Sequence, residues 1–194
     1  AGIRGTELIS KLNDYLCANI PANRLVTLFY AELDTEQGAL RYVNAGHNPP
    51  FLIRADGSSE RLMPTSVVLG FFQDREFEAC ATQLEPGTCL VLYTDGIVEA
   101  FNAAGQEYGD ARLERHLRTH VHLPHSDLIK GLIEDVLAFC GDVRPGDDMT
   151  VLTVGRESGV KLRSSDCAEK PRSETFGGDR ENGDIPIFPC CATD

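Results

Sequence analysis

Leu90-Val91-Leu92-Tyr93-Thr94-Asp95-Gly96-Ile97-Val98-Glu99 is an apolar run that stops at an acid and a glycine. Its counterpart is Gly146-Asp147-Asp148-Met149-Thr150-Val151-Leu152, an acidic turn that leads into an apolar run. Two constructions of this kind can place carboxylates at the same end of one sheet. Carboxylate oxygens gathered beside water suit hard divalent cations such as Mg²⁺ or Mn²⁺. Glycine beside the acid lets the backbone approach a ligand and offers the Gly96 carbonyl to a metal. A metal-bound water has a lowered pKa and becomes a nucleophile near neutral pH. Asp and Gly are also turn formers in their own right. Spacing alone therefore leaves two readings open: a metal-dependent phosphoester hydrolase site built on Asp95 and Asp147, or two ordinary turns.

Outward from these stretches, the chain alternates strand and turn signals before turning helical. Leu8, Leu12 and Tyr15/Leu16 recur at helical spacing, which predicts a helix over Thr6 to Asn19 with Thr6 as N-cap. Strands are predicted over Leu25–Leu33, Leu40–Asn44, Phe51–Arg54, Glu60–Leu62, Phe77–Leu84 and Met149–Val154. Cys89–Thr94 is the most apolar of the set and is expected at the centre of a sheet. Gly70 with Phe71-Phe72 suggests a loop folded onto the core. Helices are predicted from Asp110 to His120 and from Ser126 to about Cys140, each with its first residue as cap. The second carries an apolar face wide enough to pack on a sheet. Strands first, then two helices, then a strand points to an α+β fold with helices packed on antiparallel sheet.

The 194 residues are enough for one ordinary domain and a tail. The formal charge is −12, against the basic footprint that sequence-independent nucleic-acid binding needs and against an anionic membrane surface. No run of about 18 apolar residues occurs, so no membrane-spanning helix is expected. The chain from Arg156 onward has six Lys/Arg, eight Asp/Glu and no apolar period, and is read as a disordered tail over 156–194. Seven cysteines without a CxxC pair read as reduced thiols of a cytoplasmic protein. None is followed by Arg six positions on, so a Cys-x₅-Arg phosphate loop is absent from the sequence.

Tyr93-Thr94-Asp95-Gly96-Ile97-Val98-Glu99-Ala100 and Asp147-Asp148-Met149-Thr150 resemble the two C-terminal signatures of the PPM superfamily of metal-dependent serine/threonine phosphatases. The branch they resemble is the SpoIIE/RsbU type. Val26-Thr27-Leu28-Phe29-Tyr30-Ala31, Tyr42-Val43-Asn44-Ala45-Gly46-His47-Asn48-Pro49-Pro50 and Leu84-Glu85-Pro86-Gly87 add to it in order and spacing. The similarity runs from about Thr6 to Gly155, within a domain read over 1–155. It implies an α-β-β-α sandwich of antiparallel sheets flanked by helices, and a binuclear Mg²⁺ or Mn²⁺ centre in the complete domain. Asp95, Gly96, Asp147 and Asp148 are the metal-site residues it implies, with Asp95 and Asp147 catalytic through the metal. The reaction implied is direct attack of metal-activated water on phosphoserine or phosphothreonine. The partner implied is a phosphorylated STAS-type anti-sigma-factor antagonist, and a homodimer is among the assemblies it allows.

One departure stands at the front. The family's Gly-Asp strand, whose Asp bridges both metals, and its Asp-Gly-His-Gly-like segment have no match here, so the sandwich is expected to be incomplete at the N-terminus. The rival reading is accordingly a non-catalytic, phosphatase-like module that regulates or binds a partner. His47 is read either as a turn histidine or as a residue near the metal or substrate, and Glu99 as close to the site or on the surface. His116 and His120 share a helix face at zinc-pair spacing, but lack an evident third ligand and read as a solvated face.

Overall fold

The computed structural model describes residues 3–21 and 23–156. Of the tail read over 156–194, Arg156 belongs to the fold, donating to Gln37 O at 2.9 Å and Glu36 O at 2.8 Å, and 157–194 lie outside the described residues. The order is α1 (Gly5–Asn19), β1 (Leu28–Leu33), β2 (Ala39–Ala45), β3 (Phe51–Ile53), β4 (Ser59–Arg61), β5 (Cys80–Gln83), β6 (Cys89–Tyr93), α2 (Asp95–Val98), α3 (Gly109–His120), α4 (His125–Cys140) and β7 (Val151–Gly155). The strands form two antiparallel sheets, one ordered β1-β2-β5 and the other β4-β3-β6-β7.

Side-chain alternation sorts the strands into layers, because successive residues point to opposite faces. On β2, Leu40 and Tyr42 enter one cluster, while Val43 and Ala45 enter another with Ile9 of α1. On β6, Leu90 and Leu92 join the same cluster as Leu40, while Cys89, Val91 and Tyr93 pack on Leu113, Leu117, Leu128 and Leu132. Leu52 of β3 faces the first sheet, and Phe51 and Ile53 face the helices. The result is α1, sheet, sheet, then α3 with α4. This is the α-β-β-α sandwich that the sequence resemblance implies. A strand covered on both faces has no polar side to show, which is why β6 reads as an unbroken apolar run.

Several local expectations are corrected. Thr6 does not cap α1; the helix opens at Gly5, whose N–H donates to Glu32 Oε1 of β1 at 3.2 Å. Asp110 does not cap α3; it accepts a hydrogen bond from Tyr93 Oη at 2.9 Å and pairs with Arg61 Nη1 at 3.1 Å. Ser126 lies inside α4, which opens at His125 after Pro124. Asp95-Gly96 is not a bare turn but the start of the short helix α2. Phe71 and Phe72 do not fold inward: they are 56% and 49% exposed and pack edge to face on each other, while Leu69 takes the core position. Asn13 of α1 holds that loop, donating to Phe72 O and accepting from Gly70 N.

His116 is not on a solvated face. Its side chain is 9% exposed, with Nδ1 3.7 Å from Asp135 Oδ2 of α4, and Tyr108 Oη donates to the same carboxylate oxygen. The His120 ring stacks beside it at 4.3 Å, with Nδ1 against His116 O.

Leu52 is buried between the sheets, so Leu52→Ala is expected to destabilise the fold by about 2–5 kcal/mol in urea unfolding. Leu137→Ala, on the open side of α4, should stay within about 0.5 kcal/mol. Burial, and next the neighbouring His120, lower the His116 pKa, against the opposing pull of Asp135. The unfolded chain then takes up this proton at higher pH than the fold does. Stability from this group is present above the ordinary histidine value and lost as pH falls through the folded one. Urea unfolding should show stability falling as pH drops below about 6.5, a loss that shrinks in His116→Gln.

Candidate active site at the end of the β6–β7 pair

The β6–β7 ladder closes with Tyr93 opposite Val151. Because the strands are antiparallel, the end of β6 and the beginning of β7 meet at one edge of the sandwich. Asp95 stands two residues past the end of β6, and Asp147 and Asp148 stand shortly before the start of β7. The two acidic motifs are therefore brought together.

The backbones behind the acids touch closely. A Cβ built on Gly96 would lie 2.5 Å from Asp148 O and 3.3 Å from Asp147 C. Glycine is required there by space and not by a special dihedral. Thr94 Oγ1 donates to Asp148 O at 2.9 Å and accepts from Thr150 N at 2.9 Å. Each acid also takes a backbone partner: Gly96 N donates to Asp95 Oδ1 at 3.0 Å, and Asp148 N to Asp147 Oδ1 at 2.7 Å. Asp95 is half-buried, whereas Asp147 and Asp148 are exposed.

His47 joins this end from the other sheet. It follows β2, is 5% exposed, and its N–H donates to Asn44 Oδ1 at 2.9 Å. Asn44 is fully buried and donates Nδ2 to Leu62 O at 3.0 Å, so its side chain is used from both ends. Burial lowers the His47 pKa, and the negative charge of Asp95 opposes the shift. The histidine is thus within electrostatic reach of the first acid and favours its neutral form. Glu99 is exposed and enters the site through its backbone: its N–H donates to Asp95 O at 2.8 Å.

Sequence reasoning did not single out Thr94, Asn44 or Arg61. Arg61 of β4 donates Nε to Pro49 O at 3.2 Å and Nη2 to Tyr93 Oη at 2.7 Å, and lies over the Phe51 ring at 4.3 Å. It ties the turn after His47 to the strand before Asp95. No spacing signal marks such a residue. Thr94 had a signal, a hydroxyl residue directly before the acid of a strand-end motif.

The donors suit a hard cation by type, being carboxylate oxygens with a glycine carbonyl alongside. They would make up only part of a coordination shell: among the described residues, no group of three or more His, Cys, Asp or Glu is arranged to hold a metal ion.

Comparison with solved structures places this architecture among phosphatase domains. The RsbU and RsbW domains of Rv1364c from Mycobacterium tuberculosis match with a TM-score of 0.68 and 25% identity, over 80% of this chain and 43% of that one. The PP2C phosphatase domain of SpoIIE from Bacillus subtilis shares the fold with a TM-score of 0.62 at 22% identity, over 78% of this chain and 44% of that one. The class is thus the PP2C, or PPM, phosphatase fold of the SpoIIE/RsbU type. The family model described as Stage II sporulation protein E (SpoIIE) matches residues 1–157, and the chain belongs to that family. Phosphoserine phosphatase RsbU of Bacillus subtilis is 27% identical over 158 residues, covering 80% of this chain and 46% of the relative. The chain spans less than half the length of this curated relative.

Gly96→Ala would drive a methyl group into the Asp148 carbonyl, which is backbone and has little room to yield. A loss of about 1–3 kcal/mol in urea unfolding is expected, with the acids pushed apart.

Proposed function

We propose that the chain is a metal-dependent serine/threonine phosphoprotein phosphatase domain. The reading rests on one observation: the Asp95 and Asp147–Asp148 turns are bolted together at one end of the β6–β7 pair in a SpoIIE-family chain. The proposed substrate is phosphoserine or phosphothreonine on a regulatory protein, of the STAS-type anti-sigma-factor antagonist class. The relative named a phosphoserine phosphatase supports the reaction class.

Asp95 and Asp147 are the proposed ligands for Mg²⁺ or Mn²⁺, with the Gly96 carbonyl and Asp148 beside them. When bound, such ions lower the pKa of a coordinated water towards neutrality and offset charge on the phosphoryl group. The chain's own residues do the rest. Exposed Asp147 and Asp148 keep the mouth open, so a side chain on another protein can reach it. Burial favours the neutral form of His47, in which one ring nitrogen donates and the other accepts, within electrostatic reach of Asp95. Cysteine chemistry is not served here. Cys89 of β6 is buried against α3 and α4, and burial pushes its thiol up to about 11. Cys17, Cys80, Cys89 and Cys140 are free thiols, in keeping with a reducing, cytoplasmic setting. No described helix is long and apolar enough to cross a membrane.

A second reading, a phosphatase-like module that binds a partner without hydrolysis, is favoured by the incomplete ligand shell among the described residues. Mn²⁺ titration by calorimetry and phosphate release from a phosphoserine peptide separate the two. The enzyme reading expects millimolar or tighter binding and Mn²⁺-dependent release, with affinity falling at least about tenfold in Asp95→Asn/Asp147→Asn. Binding without release supports the module. Equal titrations of the wild type and double variant sink the metal assignment.

A further inference from the structure

We infer that Thr94 is a positioning residue whose hydroxyl sets the separation of Asp95 from Asp147 and Asp148. The inference rests on the proposed metal-site reading and assigns a role that the ligand residues do not cover.

Thr94 is 9% exposed and occupies the N-cap of α2, where threonine ordinarily bonds an amide of its own helix. Here it does not: no side-chain cap bond forms. Thr94 N donates to Thr150 O at 3.1 Å, as the next rung of the β6–β7 ladder requires. The return bond would run from Thr150 N to Thr94 O. That carbonyl has already turned into α2, where it accepts from Ile97 N at 3.1 Å. The ladder is thus short of one acceptor at the rung where the chain must become a helix.

The hydroxyl fills the gap. It accepts from Thr150 N and donates to Asp148 O, both at 2.9 Å. A hydroxyl has one proton and two lone pairs, so it can do both at once. The acceptor role lets β6 end in a helix while the Thr150 amide keeps a protein partner. The donor role reaches past the rung to the residue beside Asp147. With Gly96 pressed on the same Asp148 carbonyl, the two turns are held by a bond on one side and a contact on the other. Valine has the shape of threonine and neither function, whereas serine has both functions.

The test uses the full chain as Thr94→Val, Thr94→Ala and Thr94→Ser. Two readouts are taken: amide hydrogen exchange of Thr150 without metal, and Mn²⁺ affinity by calorimetry. Thermal melts identify folded variants, and Thr94→Ala removes the hydroxyl with less bulk if Thr94→Val fails to fold. Loss of the hydroxyl should speed Thr150 exchange by at least about tenfold and weaken Mn²⁺ by about tenfold to a hundredfold. Thr94→Ser should stay within about threefold of wild type on both, since it keeps both hydrogen bonds. Unchanged Thr150 exchange in the folded hydroxyl-free variants overturns the clamp, whatever the metal does. Faster exchange with unchanged Mn²⁺ affinity overturns the positioning role. If the wild type binds no Mn²⁺, the metal reading fails and the positioning role falls with it, while Thr150 exchange still reports whether the clamp exists.

Discussion

Strand β6 has no face to give to water. Cys89, Val91 and Tyr93 are sealed by α3 and α4, and Leu90 and Leu92 face the first sheet. An ionised side chain within these five residues would be stripped of solvent at a cost of several kcal/mol or more. Acids can enter the chain only where the strand runs out. β7, the half-buried edge strand, brings its own acids in the turn just ahead of the ladder. Pairing the two strands antiparallel then leaves no choice about where the carboxylates gather. The chemistry sits at the rim because the core forbids it anywhere else.

That constraint explains what could be read from the residues alone. The continuous apolar run of Cys89–Thr94 and the wide apolar face of α4 are direct imprints of burial, and each led to the element it predicts. The acids at the strand ends were visible for the same reason. Helix starts were less legible, since tertiary partners fix them. Glu32 of β1 meets the first amide of α1, and Asp110 is spent on Tyr93 and Arg61 instead of on its own helix. Phe71 and Phe72 read as core because two aromatics together signal burial, yet Asn13 fixes the loop with Leu69 inward and both rings outward. The site was legible in its acids and not in its scaffold. Nothing in the spacing of Asn44, Arg61 and Thr94 reports that their polar groups converge on one end of the sandwich.

Those three residues share a logic. Each brings a polar group into a place where the regular hydrogen-bond pattern breaks. Asn44 accepts from His47 N and donates to Leu62 O where β2 bends into the His47 turn. Arg61 takes the Pro49 carbonyl where that turn ends. Thr94 supplies the acceptor missing from the β6–β7 ladder. Irregular backbone in a buried setting leaves donors and acceptors that must be matched, and side chains do the matching. A loop held in this way resembles a strand in stiffness, which is what a site built from loops needs to hold its geometry.

The electrostatics of this rim favour an order of events on the proposed reading. Asp95, Asp147 and Asp148 are gathered on a chain of formal charge −12. Their backbone partners, Gly96 N and Asp148 N, are dipoles and cancel only a fraction of the charge. A phosphate dianion approaching bare carboxylates meets repulsion of about 1 kcal/mol per charge pair at 4 Å in water, and more as water is excluded. A divalent cation approaching the same group gains by a similar amount for each carboxylate. On that reading a cation would have to precede the phosphate, offsetting the carboxylate charge that otherwise repels it. Like charges on the two turns also repel one another, so the packing and hydrogen bonds behind them must resist spreading. The Gly96 contact and the Thr94 hydroxyl are placed where that resistance is needed, between the two acidic turns and not behind either one.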